Sequence, residues 1–218
     1  METVLYIHGM GGSAAESAHY APLFPGREVI GLDYRSFTPW ETGAEIRAAA
    51  EALRRRGGVT LIANSIGAYF SLHAGIDGLL RKAYMISPVV DMERMIADMM
   101  AQQGVSEAEL EAAGVIECAG GPALSWEYLR YVRSHPVRWE APTDILYGSG
   151  DALVPCETVR GFAAAHRCAL TVMDGGEHWF RTPEQMCFLD AWIARGEAGR
   201  AGAAADGNCN QRRSGCEN

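Results

Sequence analysis

No apolar run in the sequence approaches the roughly 20 residues that a bilayer-spanning helix needs, so no membrane span is expected. Basic residues are also in short supply. Lys and Arg number 19 against 27 Asp and Glu, a net charge of -8, whereas a protein that binds a phosphate backbone presents a basic face to displace counterions. No nucleic-acid partner is expected. The one tight cationic cluster, Arg54-Arg55-Arg56, reads as the solvated C-terminal end of a helix. The opening Met1-Glu2-Thr3 has no basic start, and Val4 to Ile7 is far shorter than a signal h-region, which points to the cytoplasm. There are six cysteines but no C-x-x-C pair. Cys118, Cys156, Cys168 and Cys187 are widely spread in a chain large enough to fold without staples, so free thiols and no metal site are expected. Neither G-x-G-x-x-G nor G-x-x-x-x-G-K-[ST] occurs, which argues against a phosphate-cradling loop, and no cofactor is expected.

What the 218 residues do contain is enough apolar material, 48%, to bury the core of a single domain. Val4 to Ile7, Glu28 to Leu32, Val59 to Ala63, Lys82 to Ser87, Thr143 to Tyr147 and Leu170 to Met173 are short runs that fit strands buried on both faces. Gly43 to Arg56, Gly67 to Gly75, Cys156 to Ala165 and Pro183 to Arg195 have the length and spacing of covering helices. Strand alternating with helix predicts an α/β fold with a mostly parallel sheet, whose ligands sit beyond the carboxyl ends of the strands. The alternation breaks from about residue 89 to 142. That interval carries Met92, Met95, Met99 and Met100, a capping box at Ser106 and Glu109, and a helix signal from Trp126 to Arg133 capped by Ser125. It reads as a helical cap inserted in a domain spanning residues 1–195; its methionines suit core packing and an adaptable binding surface equally. Residues 196–218, rich in Gly, Ala, Asn and Arg without periodicity, read as a disordered tail that includes Cys209 and Cys216.

Chemistry concentrates where strands end. Leu61-Ile62-Ala63-Asn64-Ser65-Ile66-Gly67 runs a strand into a serine flanked two residues away by Ala and Gly. Small residues there permit a sharp strand-to-helix turn that lifts the serine clear of the backbone. A serine hydroxyl needs a base, an acid that orients the base, and donors for the oxyanion. His178, in Gly175-Gly176-Glu177-His178-Trp179-Phe180, follows the last strand, whereas His73, His135 and His166 fall within or near helices. Asp151 follows the penultimate strand in Gly148-Ser149-Gly150-Asp151, where local backbone capping would also explain it. Asp91 is the main rival acid, with Asp174, Glu177 and Asp33 behind it. After the first strand, His8-Gly9-Met10-Gly11-Gly12-Ser13 forms a glycine-rich loop that could bring backbone N–H groups close to a ligand.

This combination resembles the α/β-hydrolase family, over about residues 1 to 195, in a small form with a helical cap. The resemblance implies the order Ser65, Asp151, His178 as nucleophile, acid and base, with the N–H groups of Met10 and Ile66 as oxyanion donors. Ala63 stands where the commonest motif has Gly, and the chain starts almost directly at the strand before the oxyanion loop. His8 and His19 flank that loop and could shape a pocket, and Trp126 and Trp179 are candidates to hold an apolar acyl group, core packing being favoured for Trp179.

The function implied is a serine hydrolase acting on a small carboxylic ester or related acyl compound through an acyl-enzyme. The alternatives are a non-catalytic binding protein on the same fold, and a thioesterase or acyltransferase. Substrate identity and oligomeric state have no signature in the sequence.

Overall fold

A computed structural model describes residues 2–118 and 121–210. In chain order its strands are β1 (Thr3–Ile7), β2 (Glu28–Leu32), β3 (Val59–Asn64), β4 (Leu80–Ile86), β5 (Val115–Ile116), β6 (Leu124–Ser125), β7 (Thr143–Gly148) and β8 (Ala169–Met173). The α-helices are α1 (Ser17–Tyr20), α2 (Pro39–Arg54), α3 (Ile66–His73), α4 (Met92–Gln103), α5 (Glu107–Ala113), α6 (Trp126–Ser134), α7 (Cys156–Ala165) and α8 (Pro183–Asn210). Six strands pair in parallel in the order β2-β1-β3-β4-β7-β8, while β5 and β6 form a separate antiparallel pair.

Alternation along each strand divides the core in two. Leu5, Ile7, Leu61, Ala63, Met85 and Ile145 face α2, α3, α7 and the excursion between β4 and β7. Val4, Tyr6, Ile62, Tyr84, Ile86 and Leu146 face Tyr20, Phe24 and the α8 residues Leu189, Trp192 and Ile193. The sheet is thus sandwiched by helices, as parallel strands require. β2 and β8 depart from the expectation of full burial: each is half-buried, because each is an edge strand with a neighbouring strand on one side only.

The strand order reverses at β1, so the chain leaves β1 and β3 in opposite directions and opens a crevice beyond their carboxyl ends. The glycine loop and Ser65 follow these two strands. Above them lies the excursion. Asp91 caps α4, Ser106 and Glu109 form the expected capping box on α5, and the Ser125 hydroxyl caps α6 by accepting from Tyr128 N. α2 begins at Pro39, earlier than the apolar period suggests, because proline suits the first helical position. At the other end, α8 continues past Arg195 to Asn210, so helix replaces the expected start of a tail at residue 196; residues 211–218 lie outside the described residues. Cys118, Cys156, Cys168 and Cys187 are free thiols. Among the described residues no helix is long and apolar enough to cross a membrane.

Candidate active site

Ser65 stands between the end of β3 and the start of α3 with φ 52° and ψ -121°. Such a backbone costs a non-glycine residue on the order of 1–3 kcal/mol, and the surroundings hold it there. Ser65 N donates to Ile86 O at 2.9 Å, and Ser65 O accepts from Ala68 N and Val89 N at 3.1 Å each. The small flanking residues have a measurable reason. A Cβ on Gly67 would lie 2.3 Å from His8 O and 2.8 Å from Ile7 O, so only glycine lets α3 start this close to β1.

The Ser65 hydroxyl lies 2.8 Å from His178 Nε2, and His178 Nδ1 lies 2.7 Å from Asp151 Oδ2. A carboxylate only accepts, so Nδ1 carries the proton and Nε2 is left with the lone pair that faces Ser65. The row is sheltered: Ser65 is 6% exposed and His178 4%. Asp151 serves its own turn and the histidine at once. Oδ1 accepts from Leu153 N at 2.8 Å and Val154 N at 3.0 Å, which aims Oδ2 at the imidazole.

The loops carrying Asp151 and His178 are fastened to each other. Ser149 N donates to Met173 O and Gly150 N to Gly176 O. Ser149 Oγ accepts from Gly175 N and donates to Asp174. A Cβ on Gly148 would lie 2.2 Å from Gly176 O, so this approach also demands glycine. Asp174 therefore belongs to the fastening. Asp91 accepts from Arg94 N as the α4 cap, Asp33 accepts from Ala14 N, and Glu177 is exposed.

Ile66 is the first residue of α3, where helical N–H groups lack intrahelical partners and the dipole favours negative charge. Met10 lies in the loop after β1, which turns back through Gly12 N to Gly9 O and packs Gly9 against Ser65. Both residues border a cavity of about 340 Å³, lined further by Trp40, Met92, Met95, Met99 and Tyr128. Three of the four methionines thus face the cavity, while Met100 packs in the core. A second cavity, of about 530 Å³, is lined by the Gly9–Gly12 loop, Asn64, Glu16, His19, Trp179 and Arg181. Met10 borders both.

The four residues expected to shape a pocket are placed differently. His19 lines the larger cavity with Nε2 tied to Asp190 at 2.8 Å. Trp179 lines it too, edge-on to His178 and 43% exposed, which replaces the core-packing expectation because it sits in a loop above the sheet. His8 instead clamps the glycine loop: it is buried, donates from Nδ1 to Gly9 O at 2.7 Å and stacks on Tyr34. Trp126 borders a different cavity, with Val115 and Arg130, and the inward aromatic of α6 is Tyr128. No sequence motif singles out Tyr128 or Trp40, although Pro39 marks the helix start that carries Trp40.

Solved structures resemble the whole chain at low sequence identity. Est1E from Butyrivibrio proteoclasticus with ferulic acid bound aligns with a TM-score of 0.76 at 14% identity, over 93% of this chain and 90% of that one. A mouse alpha/beta hydrolase domain-containing protein 10 aligns at 0.68 and 17%, over 88% and 87%. A Pyrococcus furiosus esterase aligns at 0.60 and 18%, over 90% and 80%. No protein-family model matches the chain, and no curated protein matches it by sequence. At these identities the likeness is one of fold: the chain has the α/β-hydrolase fold.

Proposed function

We propose that the protein is a serine hydrolase that cleaves a small carboxylic ester through an acyl-enzyme on Ser65, with the excursion between β4 and β7 acting as a cap on a single catalytic domain. The observation that carries this reading is the row from Ser65 through His178 to Asp151, with contacts of 2.8 and 2.7 Å. His178 Nε2 takes the hydroxyl proton as Ser65 Oγ attacks the acyl carbon. Asp151 keeps the proton on Nδ1 and stabilises the imidazolium. The N–H groups of Met10 and Ile66 receive the oxyanion, each worth roughly 3 to 4 kcal/mol in such sites. The imidazolium then returns its proton to the leaving group, and a water activated by the same nitrogen releases the acid. The apolar cavity beside Ile66 suits the acyl group. Further support comes from neighbours of the same fold, which include an esterase and a protein holding ferulic acid.

Ser65→Ala tests the nucleophile. Turnover of p-nitrophenyl acetate should fall by about 10⁴-fold or more, and labelling by a fluorophosphonate should vanish while the circular dichroism spectrum stays unchanged. A variant that still takes the label would refute the assignment.

A further inference from the structure

The two cavities share Met10, and the residues on either side of Ser65 divide between them: Ile66 lines the smaller, Asn64 the larger. If Ser65 is the nucleophile, this division decides which half of an ester goes where. The carbonyl oxygen belongs at Ile66 N–H, which puts the acyl group in the methionine-lined cavity. The leaving oxygen must take its proton from His178 Nε2. Trp179 and Phe180, the two residues that follow that histidine in the chain, line the larger cavity, so the alcohol half lies there.

The larger cavity is built around a short polar chain. The Tyr6 hydroxyl donates to Glu16 Oε2, a carboxylate that can only accept. Burial, with Glu16 adding to it, pushes the Tyr6 hydroxyl well above its usual pKa and keeps the proton on its oxygen. Asn64, at the end of β3 and one residue from Ser65, lines the same cavity, and its Oδ1 is buried with no hydrogen-bond partner. A buried acceptor without a donor is unfavourable until something supplies one.

The donor required is an O–H on the alcohol half, close to the scissile oxygen. Charge constrains it further. Glu16 and Arg181 line the same cavity, so its lining carries one charge of each sign and no net charge that would select an ion. A neutral polar alcohol matches such a lining. The geometry points to monoesters of neutral vicinal polyols as the substrate class, with Asn64 Oδ1 accepting from the hydroxyl on the carbon next to the ester-bearing carbon. In the first step the bond from Ser65 Oγ to the acyl carbon forms and the acyl C–O bond breaks. The departing oxygen keeps the electron pair and takes the proton from His178, giving the free diol. Water then cleaves the acyl-enzyme to the carboxylic acid and restores the Ser65 hydroxyl.

2-Hydroxyethyl butyrate and 2-methoxyethyl butyrate test this assignment, because the methyl cap removes the donor while leaving the acyl group unchanged and the leaving group similar. Both esters give the same butyryl-enzyme, so the difference appears in kcat/KM, which reports acylation. The wild-type protein should favour the hydroxyethyl ester by about tenfold, the worth of one hydrogen bond to a buried acceptor. In Asn64→Leu and Asn64→Ala the ratio should fall to near 1. Equal kcat/KM values for the two esters in the wild type, or a tenfold ratio kept by both variants, overturns the polyol assignment. p-Nitrophenyl butyrate separates the two levels of inference. Its hydrolysis without discrimination between the glycol esters removes only the assignment of Asn64, whereas no hydrolysis of any ester and no fluorophosphonate label removes the hydrolase reading with it.

Discussion

The pair of loops after β7 and β8 and the seam between α3 and α6 are both close to Ser65, yet they are held in opposite ways. Between the loops, Ser149, Gly150, Asp174, Gly175 and Gly176 exchange hydrogen bonds that fix Asp151 against His178. Across the seam, rings do the joining. His73 of α3 meets Tyr131 of α6 at 5.8 Å, with Tyr69 packed on His73 at 4.5 Å, His135 stacked on Tyr131 at 4.0 Å and Trp40 of α2 against Tyr131 at 4.9 Å. Buried within it, Tyr69 Oη, His73 Nε2 and Tyr128 Oη have no hydrogen-bond partner. Satisfied polar networks specify one geometry, and unsatisfied ones cost about 1–3 kcal/mol per group. The difference places geometric definition under the row from Ser65 to Asp151 and leaves looser definition under the excursion between β4 and β7.

The sharpest way to break this comparison is at the acid. Asp151→Asn should lower kcat by about 10⁴-fold, because an amide in place of Oδ2 can donate to Nδ1 and favours the wrong imidazole tautomer. Asp91→Asn should change kcat by less than about twofold and lower stability by about 1 kcal/mol at most, as expected of a helix cap. Comparable small losses in both would mean that neither carboxylate orients His178. Next in size is the fastening itself. Gly148→Ala places a methyl 2.2 Å from Gly176 O and should cost roughly 2–3 kcal/mol in urea unfolding, with activity falling as the loops part. A variant of wild-type stability would show that the loops adjust freely and that their hydrogen bonds do not define the site.

The same contrast explains what the sequence made legible. Buried strands of a parallel sheet are continuous apolar runs, and turns that place polar groups at their ends need Gly, Ser or Asp. The sheet, the elbow at Ser65 and the positions of Asp151 and His178 could therefore be read from local pattern. The choice between Asp151 and Asp91 could not, since both follow strands and only the meeting of β7 and β8 loops brings one of them to the histidine. The excursion between β4 and β7 is legible as helices, through its Ser caps, but not as a surface. Along α6, Trp126, Tyr128 and Tyr131 are all aromatic, so the apolar pattern does not reveal which face turns inward. Packing against Trp40 and α4 selects Tyr128 and turns Trp126 to another cavity. The short β5–β6 pair leaves no periodic trace, as two residues per strand are too few to alternate.

The smallest effect concerns His73, which belongs to the seam and titrates in a useful range. Burial, and after it the nearby His135, lowers its pKa from 6.5 to about 4. Asp91, Glu93, Arg133, His135 and His166 line the cavity that it borders, and Tyr69 and Tyr131 touch its ring. In the unfolded chain His73 takes up a proton as the pH falls through about 6.5, whereas in the folded protein it stays neutral until about 4. Its contribution to stability is therefore complete above pH 6.5 and is lost progressively between 6.5 and 4. With screening of a half-buried ring allowed for, the loss between pH 7 and 5 is on the order of 1 kcal/mol. His73→Phe keeps a ring against Tyr69, removes the unpartnered nitrogen and abolishes this linkage. Its urea midpoint should decline less steeply from pH 7 to 5 than that of the wild type, and at pH 5 the variant should be the more stable of the two. Parallel pH profiles would show that the seam already satisfies His73, and the contrast with the β7 and β8 loops would then rest on Tyr69 and Tyr128 alone.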